Sequence, residues 1–133
     1  MPISKVRPGS PKDWLRLAQS SLLHGSPPKR EGVRLEEYCF DLQQAAEKAI
    51  KAVMVFRKVR FPPSHDIGEL LALLEHSGHA VPSDIREANG LSRYAVITRY
   101  PGVRRQLTEE DYRHALESSE AVVRWAEGLI AGK

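Results

Sequence analysis

The chain has 133 residues, a formal net charge of +3 and one cysteine. That length fits one domain with a real core and leaves no room for two. No apolar run approaches the roughly 18 residues of a membrane span, and MPISKVRPGS lacks the apolar stretch of a secretory signal, so the expected location is the cytoplasm, with Cys39 unable to form an internal disulfide and expected as a buried thiol.

Ser10, Pro11 and Asp13 supply an N-cap, a first-turn proline and an acid at N3. They predict a first helix from Pro11 to about His24, stopping at Gly25, with Trp14, Leu15, Ala18, Ser21 and Leu22 on its inner face. GSPPKREG follows as a loop. From about Arg34 to Arg57 the residues Leu35, Tyr38, Cys39, Leu42, Ala45, Ala46, Ala49, Ile50, Val53 and Met54 recur at a helical period, which predicts the core helix. Its central alanines allow a neighbouring backbone to come close. FPPS is expected to break it, since proline cannot donate the next helical hydrogen bond.

A third helix is predicted behind a cap at Ser64 or Asp66, with Glu69 as capping-box partner of Asp66. Leu70, Leu71, Leu73 and Leu74 fill its inner side and Gly78 ends it. Pro82, Ser83 and Asp84 open a short fourth helix reaching about Asn89 and Gly90, and YAVI at 94–97 is β-prone but too short and isolated to pair. Thr108 with Asp111 caps a last helix lined by Tyr112, Ala115, Leu116, Ser119, Val122, Val123, Ala126 and Ile130. The expected fold is all-α, an antiparallel up-and-down bundle of four main helices plus a short one. It occupies residues 10–131, between tails at 1–9 and 132–133.

Three patterns fall at fixed places in this frame: QQAAEKAIKA at 43–52, HDI at 65–67 and SRYAVITRYPG at 92–102. In this order and spacing they resemble the HEPN family, helical domains named for higher eukaryotes and prokaryotes and for nucleotide binding, over nearly the whole chain from about Ser10 to Ala131. The resemblance implies an up-and-down helical bundle, frequent homodimerisation and, in prokaryotic members, frequent association with a minimal nucleotidyltransferase, often as a toxin–antitoxin pair.

Many members of that family are metal-independent RNases with an Arg, a polar residue, three to five further residues and a His, and this chain matches the pattern poorly. Arg60 and His65 are separated by FPPS, but Phe follows Arg60 and the pair precedes the third helix. The family motif falls near SRYAVITRYPG, where neither Arg93 nor Arg99 has a histidine at the required distance. Without one, no general acid or base stands ready to move the 2'-hydroxyl proton or protonate the leaving 5'-oxygen. No catalytic residue is therefore assigned, and Arg60 with His65 is the alternative. His65 and Asp66 are also similar to the paired ligands of HD-type metal phosphohydrolases, but the further ligands such a site needs do not follow in order, so no metal and no cofactor are expected.

Between Leu91 and Leu107 there are four arginines and no acid. Arg93, Tyr94, Arg99, Tyr100, Arg104 and Arg105, together with His65, form the candidate nucleotide or RNA site, because guanidinium forks match phosphate oxygens and tyrosine stacks on bases. The structural alternative has Tyr94, Val96 and Ile97 pinning a long loop while the arginines pair with Glu117 or Glu120. The expected function is a homodimeric binding and assembly module, with a nucleotidyltransferase partner or another nucleotide-handling protein. An RNase toxin and a stand-alone nucleotide-binding protein are the competitors.

Overall fold

The computed structural model describes residues 6–97 and 107–131. Helices α1 (Pro11–Gly25), α2 (Leu35–Phe56), α3 (Ile67–His76) and α6 (Glu109–Ala131) are the main elements. Between α3 and α6 lie α4 (Ser83–Arg86), a 3-10 helix (Glu87–Arg93) and α5 (Tyr94–Ile97). The fold is all-helical as expected, with no strand among the described residues. The expected short fourth helix is α4 followed directly by the 3-10 helix, and the β-prone YAVI is the helical turn α5. Burial of Leu91 and Tyr94 against the core overrides the local preference of that segment.

Helix ends follow from local chemistry. Ser10 Oγ accepts from the Asp13 amide at 3.1 Å, and Asp66 Oδ1 accepts from the Glu69 amide at 3.2 Å, which settles the α3 cap on Asp66 rather than Ser64. Thr108 and Asp111 form a reciprocal capping box, with the Thr108 amide donating to Asp111 Oδ2 at 2.9 Å and the Asp111 amide to Thr108 Oγ1 at 3.1 Å. Helix α2 stops before the prolines expected to break it. Lys58 takes a left-handed conformation (φ 60°), the Val59 amide donates to the Met54 carbonyl and the Lys58 amide to that of Val55. Two otherwise orphaned carbonyls are thereby satisfied.

Helix α2 is the axis of the molecule, with 14 of its 22 residues buried, and it touches α1, α3, α5, α6 and the 3-10 helix. Trp14 lies beside Lys51 while Gly25 meets Tyr38 and Leu42, so α1 runs antiparallel to α2. Tyr38 packs edge-on against Tyr112, and Ser119 Oγ donates to the Leu42 carbonyl at 2.8 Å, so α6 follows the direction of α2. Leu42, Ala46, Ala49, Ile50 and Val53 are buried, as are Val122 and Ala126. Gly25 is where three helices converge. A Cβ there would lie 2.7 Å from the Leu42 side chain, and its carbonyl accepts from Tyr112 Oη at 2.8 Å. Trp14, Phe56 and Trp125 are half-buried against the core. Among the described residues the large apolar side chains most open to solvent are Leu17 (44% exposed) and Leu23 (76%).

Candidate functional site

The apolar stripe of α2 continues into a polar one. At about 100° per residue, Gln43, Glu47 and Lys51 align on one edge of the helix, and packing buries all three. The Glu47 carboxylate receives Lys51 Nζ at 2.7 Å, Gln43 Nε2 at 3.1 Å and His65 Nδ1 at 3.1 Å. Burial by itself would raise the Glu47 pKa. The hydrogen bonds from Lys51, Gln43 and His65, with the Lys51 charge, outweigh it and hold the carboxyl below its ordinary value. Lys51 is also flanked by the rings of Trp14 and Phe61, at 5.7 and 5.3 Å from their centroids, which meet edge to face.

This carboxylate fixes the state of His65. An ionised carboxylate only accepts, so Nδ1 carries the hydrogen that faces Glu47, and in the neutral ring Nε2 holds the lone pair. Nε2 has no partner among the described residues, and the His65 side chain is 55% exposed. The His65 carbonyl accepts from Gln43 Nε2 at 3.1 Å, and two residues on the Ile67 amide donates to Ser92 Oγ at 2.8 Å. The imidazole is thus set in place from both sides. Asp66 serves as the helix cap, and no group of three or more His, Cys, Asp or Glu side chains among the described residues is placed to hold a metal. Arg60 is exposed in the connector that ends at His65.

At the other end of the polar edge, Arg93 donates to Tyr94 Oη at 2.8 Å and lies over the Tyr94 ring at 4.9 Å. The hydrogen bond to Tyr94 Oη raises the Arg93 pKa further, and a guanidinium is charged at any physiological pH. Tyr94 is only 3% exposed. Its ring is engaged by the core and the guanidinium, so it is a support for Arg93 and is not free to stack on a base as a binding-site tyrosine would. Arg93 is exposed and borders a cleft of about 480 Å³ together with Glu87, Asn89, Tyr94, His114 and Ser118. Arg99, Tyr100, Arg104 and Arg105 lie outside the described residues. Cys39 is buried as expected, and desolvation, with Asp111 adding to it, pushes its thiol up to about 12.

Residues 43, 47 and 51 escaped the sequence reading, which took α2 as one-sided. Their spacing of four was the available signal, but a polar i, i+4, i+8 row ordinarily marks a solvated face. Only the packing of α3, Trp14 and Phe61 over that edge buries it.

The HEPN domain model matches residues 11–129. Among solved structures, TT1696 from Thermus thermophilus is similar at 30% identity, with a TM-score of 0.77 over 90% of this chain and 98% of that one. ST0689, an archaeal HEPN homologue, is similar at 27% identity and a TM-score of 0.72, over 91% and 98% of the two chains. Comparison with curated proteins gives no match. With a family model spanning most of its length, and the patterns at 43–52, 65–67 and 92–102 all inside it, the chain belongs to the HEPN domain family.

Proposed function

We propose that the chain is a cytoplasmic, homodimeric binding and assembly module that receives a nucleotide or RNA at its Arg93 end and works with a minimal nucleotidyltransferase, in a toxin–antitoxin-like pair. The observation that carries the binding part is the exposed, pre-oriented Arg93 guanidinium at the mouth of the 480 Å³ cleft. That volume falls within the roughly 300–1,000 Å³ of small-ligand pockets. Glu87 also lines the cleft, and Arg99, Arg104 and Arg105 lie outside the described residues. Family membership supports the dimer and the partner. Binding of ATP and of short RNA, read by thermal shift and fluorescence anisotropy, is expected to weaken with salt through counterion release and to drop in an Arg93→Ala/Arg99→Ala variant of unchanged melting temperature. Unchanged binding in that variant, with a lower melting temperature, refutes it. Light scattering that reports only monomer at tens of micromolar refutes the dimer.

The Glu47–His65 pair favours a second reading as a metal-independent RNase. A histidine whose Nδ1 is held by a buried carboxylate presents Nε2 as a base, and Arg60 sits in the same connector. Metal-free cleavage of RNA by the purified chain, lost in His65→Ala, would establish this reading, and no cleavage would dismiss it.

A further inference from the structure

The bundle end opposite Arg93 carries a second surface. Val53, Arg57, Leu74, His79, Trp125 and Leu129 line a groove of about 410 Å³ where the last turns of α2, α3 and α6 meet. Their chain neighbours Phe56 and Ile130 line an adjoining apolar cleft of about 500 Å³, rimmed by Arg7 and Lys12. The two hollows therefore flank one ridge, formed by Phe56–Arg57 and Leu129–Ile130. Among the described residues no Asp or Glu lines either hollow. Arg57 is half-buried, lies over the Phe56 ring at 5.2 Å and has no carboxylate partner among the described residues. Lys58 and Arg60, both exposed, follow it directly.

We propose that this end is a docking surface for an acidic amphipathic helix of a partner protein. Apolar side chains at i, i+3 or i+4 and i+7 would fall into the two hollows across the ridge, and flanking carboxylates would pair with Arg57, Arg7 and Lys12. Charge selects this occupant. A guanidinium that lies over an aromatic ring and has no carboxylate partner among the described residues gains most from a carboxylate that arrives with apolar surface, because a charge-assisted pair strengthens as water is excluded. A basic or purely apolar segment would leave Arg57 uncompensated.

The test uses the full chain and two synthetic helical peptides with identical leucine spacing, one flanked by glutamates and one by lysines. Binding is read from the indole N–H signals of Trp14 and Trp125, assigned with Trp125→Phe. The glutamate peptide is expected to move the Trp125 signal saturably and to bind at least tenfold tighter than the lysine peptide. Arg57→Glu should reverse that order, while Leu129→Asp should abolish binding without loss of helical circular dichroism. Equal binding of both peptides, or no movement of Trp125 with either, overturns the proposal. So does a dimer that Leu129→Asp converts to monomer, since a second copy then covers the groove. Nucleotide binding at the Arg93 end should be unaffected by Arg57→Glu, so the two proposals fail separately.

Discussion

Replacing Glu47 with Leu removes the carboxylate on which three side chains converge. Lys51 would remain 7% exposed with its Nζ partner at 2.7 Å gone. Breaking a buried ion pair from one side costs about 3–5 kcal/mol, because the surviving charge stays desolvated. The Trp14 and Phe61 rings still flank the ammonium and each offsets of the order of 0.5–1 kcal/mol, which places the expected loss near the lower bound, about 3 kcal/mol. For a chain of this size that is a fall in melting temperature of about 10 °C. Converting Lys51 to Met as well removes the stranded charge and puts a thioether between two aromatic rings. In the double variant only Gln43 and His65 are left without their acceptor, His65 being open to water, and the loss should be about 1–2 kcal/mol. Urea titrations of wild type, both single variants and the double variant close the cycle. A Glu47→Leu loss below about 1 kcal/mol, or a double variant that loses the sum of the two singles, would show that the pair is not the buried electrostatic unit described above.

The Glu47 pKa is lowered on folding from 4.5, so its ionisation adds stability that is present above pH 4.5 and drains away as the pH falls through the folded value. Wild type and Glu47→Gln should therefore differ in urea midpoint at pH 7, with the gap narrowing as the pH falls below 4.5, and a gap that stays constant throughout the acid range would contradict this. Ala49 is fully buried, so Ala49→Leu is expected to overpack the α2 surroundings and cost about 1–3 kcal/mol, whereas an unchanged melting temperature would mean that the helices are further apart. With its pKa at about 12, the Cys39 thiol should resist a thiol reagent at pH 8 in the native protein and react fully in urea; rapid native labelling would contradict its burial. Gly25→Ala would place a methyl 2.7 Å from Leu42 and 3.1 Å from the Tyr38 carbonyl, and should destabilise by at least about 1 kcal/mol, a result that thermal denaturation checks directly.

The sequence by itself determined the all-helical class, the helix starts at Ser10 and Thr108, the start of α3 to within Ser64 or Asp66, the stop at Gly78 and the inward face of α2. All of these depend on neighbours within one or two turns, such as cap oxygens, a left-handed glycine and a repeating apolar stripe. Three patterns with fixed spacing were enough to place the family as well. The stop of α2 at Phe56 agrees with the expected end near Arg57, but the prolines do not make it: Lys58 ends the helix in a conformation that usually marks glycine. Only the tertiary structure decided that Gln43, Glu47 and Lys51 are interior residues, that His65 is fastened through Nδ1 to a carboxylate 18 positions away, and that Tyr94 is buried and supports Arg93. A row of polar residues every fourth position looks the same whether water or another helix lies over it. Which one does depends on α1, α3 and the 57–66 connector closing over one edge of α2, and no local spacing encodes that.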